Sequence, residues 1–361
     1  MTITNLSREN PSSETTPVAN GTNAVAIGSG SVANGQHSFS IGQNTVSGTT
    51  GGNNYAVAIG YSATGTGAFS TSVGGFTDAT AQHALAVGTY AQATGVRSSS
   101  IGRALASGAD SLASSLTNAT SSYGAQGASS VAIGKEAKAT GAGSIALSTK
   151  TYTGGAVATG SGSVAIGDGA AASGLLGMAI GRGATASGTM SMAYGRDSQA
   201  TKEESKAFGY RSYADVTGCF AYASGYFGAA NGDAQGRQYI LRKATTDATA
   251  TVLTTDAGNA TTNNQIRVPA NSVVVFDGVI TACQSGVAAY AGWRVEGMIT
   301  NDGGTTVIQN NTITAIKNES GWRCRLSAND STDSLVVTVT GEASHNIRWV
   351  ANIRTVETIY A

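Results

Sequence analysis

Val25-Ala26-Ile27-Gly28 is a four-residue motif that recurs, with variations, at a regular spacing between Asn23 and Gly228. Gly28 serves as a phase marker, and its position returns thirteen times, three of them with another residue in place of glycine. The fourteen marker positions are Gly28, Gly42, Gly60, Gly74, Gly88, Gly102, Leu116, Gly134, Ser148, Gly167, Gly181, Gly195, Gly209 and Ala223. Ten of the thirteen intervals are 14 residues, and the others are 18, 18 and 19. A period held this long predicts a solenoid.

The residues before each marker alternate in size. The position two before the marker is Ala or Ser in all fourteen copies, including Ser114 in the copy at Leu116. The residues on either side of it are mostly bulky. This large-small-large order has a period of two, which is typical of a strand.

A second glycine follows seven residues after the marker in six copies. These glycines are Gly35, Gly67, Gly95, Gly141, Gly174 and Gly188. Each coil is therefore expected to have two strands of about five residues and two tight turns, with glycine supplying a positive φ at both turns.

Two such strands leave a narrow interior, which the Ala/Ser row fits. The bulky row then points outward and would form an exposed apolar stripe larger than a soluble monomer carries. Burial of both rows is a firmer expectation than the assignment of either row to the interior. We expect the stripe to pack against identical copies around a threefold axis. The expected trimer core consists of Ile27, Ile41, Ile59, Val73, Val87, Ile101, Ile133, Leu147, Ile166, Ile180, Tyr194, Phe208 and Tyr222.

The Ala-Val-Ala-Ile-Gly motif at 14-residue spacing resembles the YadA-like head repeat of trimeric autotransporter adhesins, over about residues 20–228. The resemblance implies a trimeric left-handed parallel β-roll. Those adhesins also carry a secretion signal, a coiled-coil stalk and a membrane anchor, and the sequence shows none of these patterns.

Beyond a turn-rich neck at 231–236, eight or nine alternating β-rich runs are separated by Asn, Asp and Gly clusters. This pattern predicts an antiparallel β-sandwich or jelly roll. All three tryptophans, Trp293, Trp322 and Trp349, lie in such runs, and core packing is the favoured role of the last two.

Four segments of this region resemble the C-terminal domain of bacteriophage tail fibre proteins. They are 232–242, 251–256, 339–343 and 347–351. The resemblance implies a trimeric tip that contacts the host cell. The predicted organisation is an all-β chain with a virion-attachment peptide at 1–20, a β-roll at 21–228 and a sandwich tip at 229–361.

Composition excludes several function classes. The formal net charge is zero, with 21 Lys+Arg and 21 Asp+Glu, so no basic field exists to hold nucleic acid or an anionic membrane. No apolar run is long enough to span a membrane as a helix, and residues 1–17 lack the pattern of a signal peptide. The three cysteines lack metal-ligand spacing, and we expect them to be reduced and mostly buried, with a Cys283–Cys324 bridge as the alternative.

Catalytic, metal and cofactor motifs are not found in the sequence. The histidines His37, His83 and His345 have no partner at ligand spacing. The Gly-x-Gly stretches fall on repeat turns and lack the lysine and helix of a phosphate loop. A glycosidase needs paired carboxylates on a groove; Asp330 and Asp333 form the one close pair in a tip turn, where a turn-forming role is favoured.

The sequence thus favours a non-enzymatic, homotrimeric bacteriophage tail fibre. Its N-terminus would dock on a phage tail protein, and its tip would bind a bacterial surface glycan or protein. It would assemble in the host cytoplasm and reside in the virion. The alternatives are the head fragment of a bacterial trimeric adhesin and a tailspike depolymerase. The candidate receptor-binding residues lie in tip turns: Asp256, Asn259, Gln284, Tyr290, Asn301, Asp302, Asn329 and Asp330.

Overall fold

A computed structural model describes residues 15–51, 54–115, 122–149, 154–228 and 230–360. The described residues form strands and turns, with no helix among them, so the predicted all-β class is confirmed. Contacts divide the chain into two compact units, Met1–Leu176 and Gly177–Ala361. The predicted domain boundaries stay a prediction, and most of the attachment peptide, residues 1–14, lies outside the described residues.

The first unit is a parallel β-solenoid in which longer and shorter strands alternate. Its strands are β1 (Val18–Ala19), β2 (Val25–Ile27), β3 (Val32–Ala33), β4 (Phe39–Ile41), β5 (Val46–Ser47), β6 (Val57–Ile59), β7 (Thr64–Gly65), β8 (Thr71–Val73), β9 (Asp78–Ala79), β10 (Leu85–Val87), β11 (Gln92–Ala93), β12 (Ser99–Gly102), β13 (Leu105–Ala106), β14 (Leu112–Ser115), β15 (Gly124–Ala125), β16 (Val131–Gly134), β17 (Lys138–Ala139), β18 (Ile145–Ser148), β19 (Val157–Ala158), β20 (Val164–Ile166) and β21 (Ala171–Ala172). The even-numbered strands stack on one another in parallel, and so do the odd-numbered strands. The strands have two to four residues, fewer than the predicted five, because the turns take the rest of each coil.

Residues at the same phase lie directly above one another. Ala26 pairs with Ser40, and Ile27 pairs with Ile41. The Ala/Ser row is fully buried, as at Ala86 and Ser100, while the flanking bulky residues are partly or largely exposed. The small row therefore fills the coil interior, as predicted.

Glycine has a different role in the two turns. The marker glycines have a positive φ, for example 133° at Gly74. The glycines seven residues after the markers form a second row and do not have a positive φ. At Gly67, a Cβ would lie 1.9 Å from the carbonyl oxygen of Ala81 on the next coil. The prediction of a positive φ at this second row is wrong. At Gly67 the backbone of the next coil leaves no room for a side chain, whereas the equivalent positions of two other coils are Ala81 and Lys202.

The coil after Gly102 is one residue shorter than predicted. Gly102 pairs with Ser115, and Ser100 pairs with Ala113. Ala113, and not Ser114, therefore occupies the buried position, and Ser114 pairs with Ile101 in the outward row. The predicted marker Leu116 lies outside the described residues. Ala and Ser are both small, so the sequence pattern did not separate the two registers.

Partly or largely exposed aromatic side chains stack along one turn of successive coils. The centroids of His37 and Tyr55 are 4.9 Å apart, those of Tyr55 and Phe69 are 5.2 Å apart, and those of Phe69 and His83 are 5.1 Å apart. Their rings are within 8° of parallel. All four residues have a positive φ, so the turn geometry itself brings the side chains into a ladder.

The second unit contains solenoid strands and then longer strands. Its strands are β22 (Met178–Ile180), β23 (Thr185–Ala186), β24 (Met192–Tyr194), β25 (Gln199–Ala200), β26 (Lys206–Gly209), β27 (Tyr213–Ala214), β28 (Phe220–Ala223), β29 (Ala234–Thr245), β30 (Thr251–Val252), β31 (Ile266–Arg267), β32 (Ser272–Gln284), β33 (Tyr290–Asp302), β34 (Thr305–Lys317), β35 (Arg323–Asn329), β36 (Ser334–Thr340) and β37 (Ile347–Ile359). Strands β22 to β28 repeat the parallel solenoid pattern.

Strand β28 changes the sheet from parallel to antiparallel. It pairs antiparallel with β29, and the sheet continues in the order β29, β37, β32, β33, β34. We call these five strands the tip sheet. A smaller antiparallel sheet has β36 at its centre, paired with β30, β31 and β35. The predicted antiparallel region is therefore present.

The tip sheet has one buried face. Trp349 is 1% exposed, its indole donates a 2.9 Å hydrogen bond to Thr245, and its ring lies 5.8 Å from that of Trp322. The packing roles predicted for Trp349 and Trp322 are confirmed. Trp322 lies just before β35 and not on a strand. The predicted burial of the cysteines is wrong for Cys283, which is exposed on the face of the tip sheet opposite the buried one.

Candidate functional site

The outward row of the solenoid is apolar and uncovered in a single chain. All thirteen residues predicted to form the trimer core are partly or largely exposed. Ile101 is 45% exposed and Tyr194 is 54% exposed. Because the strands are in register, these side chains form continuous columns within each unit. The interior has no space for a ligand, since it is filled by the methyl and hydroxyl groups of Ala and Ser.

In the second unit the outward column continues beyond the solenoid. Successive strand pairings align Ile180, Tyr194, Phe208, Tyr222, Gly236, Val356, Val275, Met298 and Asn310. The same face of the sheet therefore runs from the last coils across the tip sheet to β34.

A buried cluster of charged residues fixes the first strand of the tip sheet to the last coil. Arg237 on β29 is buried and lies 2.8 Å from the Asp215 carboxylate and 2.9 Å from that of Glu357 on β37. Arg267 lies 2.9 Å from the second oxygen of Asp215, and Gln235 donates a hydrogen bond to Glu357. Two arginines and two carboxylates balance in charge. Such pairing is required for ions that are removed from water.

Burial raises the pKa of the Glu357 carboxyl above its usual value, and the attraction of Arg237 opposes this shift. Each of the charged groups in the cluster has a partner of opposite charge. Its contacts join strands, so its role is structural.

Four of the predicted receptor-binding residues come together at the beginning of β34. Asp302 pairs with Thr305 across the β33–β34 turn, and Asp330 accepts a 2.5 Å hydrogen bond from the backbone N–H of Thr306. Asn301 is fully buried and donates to the carbonyl of Val268, so its side chain is held inside the turn. Asn329 accepts hydrogen bonds from Ser331 within its own turn.

The predicted carboxylate pair has a structural function. Asp330 and Asp333 both accept hydrogen bonds from Thr306, through its N–H and its hydroxyl respectively. These bonds fix the β35–β36 turn to β34. The turn-forming role expected for both aspartates agrees with this geometry.

Two further candidates lie at the other end of β34. Tyr290 is 55% exposed, and the Lys317 ammonium lies 3.6 Å from the centre of its ring. Lys317 also donates to the Tyr290 carbonyl. Gln284 ends β32 and closes the same hairpin, with its N–H bonded to Ala289.

The remaining pair lies apart from these two groups. Asp256 and Asn259 belong to a loop closed by the Asn264 amide, which donates to both residues. The neighbouring Asn263 carbonyl accepts a hydrogen bond from Thr217 of the last solenoid coil. This loop therefore lies beside the solenoid strands and away from β34.

Sequence reasoning predicted a strand here but did not single out β34 as a candidate binding surface. This strand pairs with β33, and no pairing with a second strand is found in the described part of the chain. Its residues Gln309 to Thr312 are exposed. Register shifts opposite Met298 and Gly292 give it two irregularities, a feature that discourages sheet extension at an edge. The run of four consecutive polar, uncharged residues, Gln309-Asn310-Asn311-Thr312, was the available signal.

The described residues contain no group of three His, Cys, Asp or Glu that could hold a metal ion. No helix in the described segments is long and apolar enough to cross a membrane.

Comparison with known families supports the prediction that the coils are YadA-like head repeats. The family model described as YadA head domain repeat (2 copies) matches residues 19–45, 79–104, 125–147, 154–170, 172–198 and 186–212. Residues 19–212 contain YadA head domain repeats. The predicted resemblance to this family is thereby confirmed. The YadA repeats do not extend to the tip sheet, and the predicted resemblance of the tip to tail fibre domains stays a prediction.

One solved structure with some similarity to the YadA-repeat chain is a tailspike protein gp49 from Acinetobacter baumannii bacteriophage Fri1, described as a capsular polysaccharide depolymerase. The identity is 10% and the TM-score is 0.25, over 94% of this chain and 70% of that one. A likeness of this size gives no information on activity. No curated protein matches the sequence.

Proposed function

We propose that this protein is a homotrimeric receptor-binding fibre of a bacteriophage tail, with the YadA repeats as a rigid spacer and the C-terminal sheets as the receptor-binding tip. The observation that carries the trimer is the uncovered outward row. A stripe of Ile, Val, Leu, Tyr and Phe along successive coils needs a partner, and a repeated coil offers identical copies the same surface.

The assignment to a phage rests on the tip. The four segments that resemble tail fibre C-terminal domains form two pairs, and the members of each pair are far apart in sequence but adjacent in the fold. Residues 232–242 and 347–351 meet on paired strands β29 and β37, where Arg242 lies opposite Val350. Residues 251–256 and 339–343 meet on β30 and β36, where Thr251 lies opposite Val339. The resembling segments thus form one strand pair in the tip sheet and one in the smaller sheet. Residues 1–20 are proposed to dock on a tail protein.

We place the receptor contact on β34 and the turns at its two ends. In sheet order β34 is separated from the last solenoid strand by the four other strands of the tip sheet. Its exposed amides and hydroxyls are donors and acceptors suited to a bacterial surface glycan or protein. The turn at Asp302 and the Tyr290–Lys317 pair flank it. Each contact can be weak, because three tips on each fibre and several fibres on each particle act together.

Adsorption to cells tests this proposal. Fluorescently labelled full-length protein is incubated with a panel of bacterial isolates, and bound protein is counted by flow cytometry. The double variant Asn310→Ala, Asn311→Ala should lose binding, while the matched Asn259→Ala, in the loop beside the solenoid, should retain it. Equal binding by both variants would contradict the placement on β34, and no binding to any isolate would contradict the fibre function.

A depolymerase would behave differently. Incubation with purified capsule or lipopolysaccharide should release no reducing ends if the protein only binds. Release that disappears in Asp330→Ala or Asp333→Ala would establish the enzymatic alternative. A bacterial adhesin would be found on the surface of the cell that makes it, and immunogold labelling of phage particles separates that case from a virion protein.

A further inference from the structure

The outward face of the tip sheet carries an uncovered apolar column that extends the outward row of the solenoid. Val275 on β32 and Val356 on β37 lie opposite each other and are 53% and 68% exposed. Met298 follows Val275 on β33 and is 37% exposed. These residues lie in the same column as Tyr194, Phe208 and Tyr222, which are part of the expected trimer core.

At Gly236 this column has a gap that no side chain in the described part of the same chain fills. At Gly236 the column has no side chain, and a depression of about 400 Å³ is lined by Phe220, Tyr222 and Val356 among others. An added Cβ at Gly236 would meet only the Thr355 carbonyl at 3.5 Å, so the chain's own packing leaves room there. An apolar side chain from another molecule would bury the exposed rings beside it.

The column of residues beside this apolar one contains charged side chains of both signs. It aligns Gln238, Arg354, Asp277 and Glu296, and Arg294 lies nearby on the same face. Arg354 and Asp277 form an ion pair at 2.5 Å. The two arginines and two carboxylates of this region carry no net charge, although the same face also holds the exposed Arg242 and Arg348. The region is therefore compatible with self-association, and the charges can set the register of the contact.

We infer that two further copies of this chain cover the outward face of the tip sheet, so that the threefold contact continues from the solenoid through β29, β37, β32 and β33. This inference rests on the proposed homotrimer. Its consequence is that the three tips are not independent heads. They form one rigid unit, which presents its three β34 strands together.

Thiol labelling tests whether the face is covered. The native Cys283 lies on the same face and is replaced in a Cys283→Ser background. Val275→Cys is compared with Val287→Cys, since these two valines are 53% and 59% exposed in a single chain. In the native full-length trimer, Val275→Cys should react with a maleimide about tenfold more slowly than Val287→Cys, or slower still. Val356→Cys repeats the test at a second position.

Sedimentation of each labelled sample separates the outcomes. A trimeric mass with equal labelling at positions 275, 356 and 287 would overturn the covered tip face and leave the proposed fibre intact. A monomeric mass would remove the proposed homotrimer itself. A trimer with protection at 275 and 356, lost in urea, supports the inference.

Discussion

Arg237, on the first strand of the tip sheet, lies 2.8 Å from Asp215 of the last solenoid coil, and both side chains are at most 2% exposed. The same guanidinium reaches Glu357 near the end of the chain at 2.9 Å. One residue thus connects the coil, β29 and β37. A buried pair of this type costs desolvation free energy, and its loss leaves the partner charges unpaired.

Arg237→Met should therefore lower the free energy of unfolding of the tip by about 3–5 kcal/mol at pH 8. All three tryptophans lie between 293 and 349, so their fluorescence during urea unfolding reports the tip selectively. Arg323→Met, at an exposed arginine on β35, is the control and should change the stability by less than about 0.5 kcal/mol. Equal effects of the two substitutions would show that the cluster is not needed for stability.

The deficit of Arg237→Met should depend on pH. Burial raises the folded-state pKa of Glu357 above its ordinary value of 4.5, so folding favours the protonated carboxyl. Stability from such a group is present at low pH and is lost as the pH rises through the folded pKa. Without the guanidinium this loss should grow. The difference from wild type should thus be smaller at pH 5 than at pH 8, and a deficit that is larger at pH 5 would refute the assignment.

Gly67 of the second row should not tolerate a side chain, although its φ is not positive. Gly67→Ala places a Cβ 1.9 Å from the Ala81 carbonyl and should destabilise the coils by about 3 kcal/mol or more. Gly143 has a φ of 65° but nothing within 4 Å, so Gly143→Ala should cost only about 1–2 kcal/mol. Thermal unfolding followed by circular dichroism ranks the two. A larger loss at Gly143 would mean that φ, and not coil spacing, explains the glycines.

The aromatic ladder should stabilise its turn. Phe69→Ala removes two stacked contacts, with Tyr55 and His83, and should cost about 1–3 kcal/mol. Leu176 occupies the equivalent turn position, also with a positive φ and with more than half of its surface exposed. Leu176→Ala is the matched control, and its effect should stay within about 0.5 kcal/mol. Limited proteolysis at the turns gives a second readout, with Phe69→Ala cleaved faster.

Short-range pattern was sufficient to predict the coils. The marker glycine, the Ala/Ser position and the bulky row recur within each period, so strand type, burial and phase follow from local spacing. The single register error, at Ser114, falls where Ala113, Ser114 and Ser115 are all small. The second glycine row was found, but its cause was not, because the distance between adjacent coils is not encoded within one period.

The tip shows where sequence reasoning stops. Gln235 and Glu357 bond to each other across 122 residues, and nothing local pairs them. The continuation of the outward column from Tyr222 to Val356 and Val275 depends on the same long-range strand order. Loop chemistry drew attention to Asp302 and Asp330, whereas the edge strand between the turns was hidden in a run that looked like ordinary β structure.

Sedimentation equilibrium of the full-length protein tests most directly whether other copies of the chain cover the outward row. The chain has a mass of 35.9 kDa, and the account predicts a species of three times that mass which persists on dilution. A stable, soluble, folded species of one chain mass, with Ile101 and Tyr194 in contact with water, would contradict it.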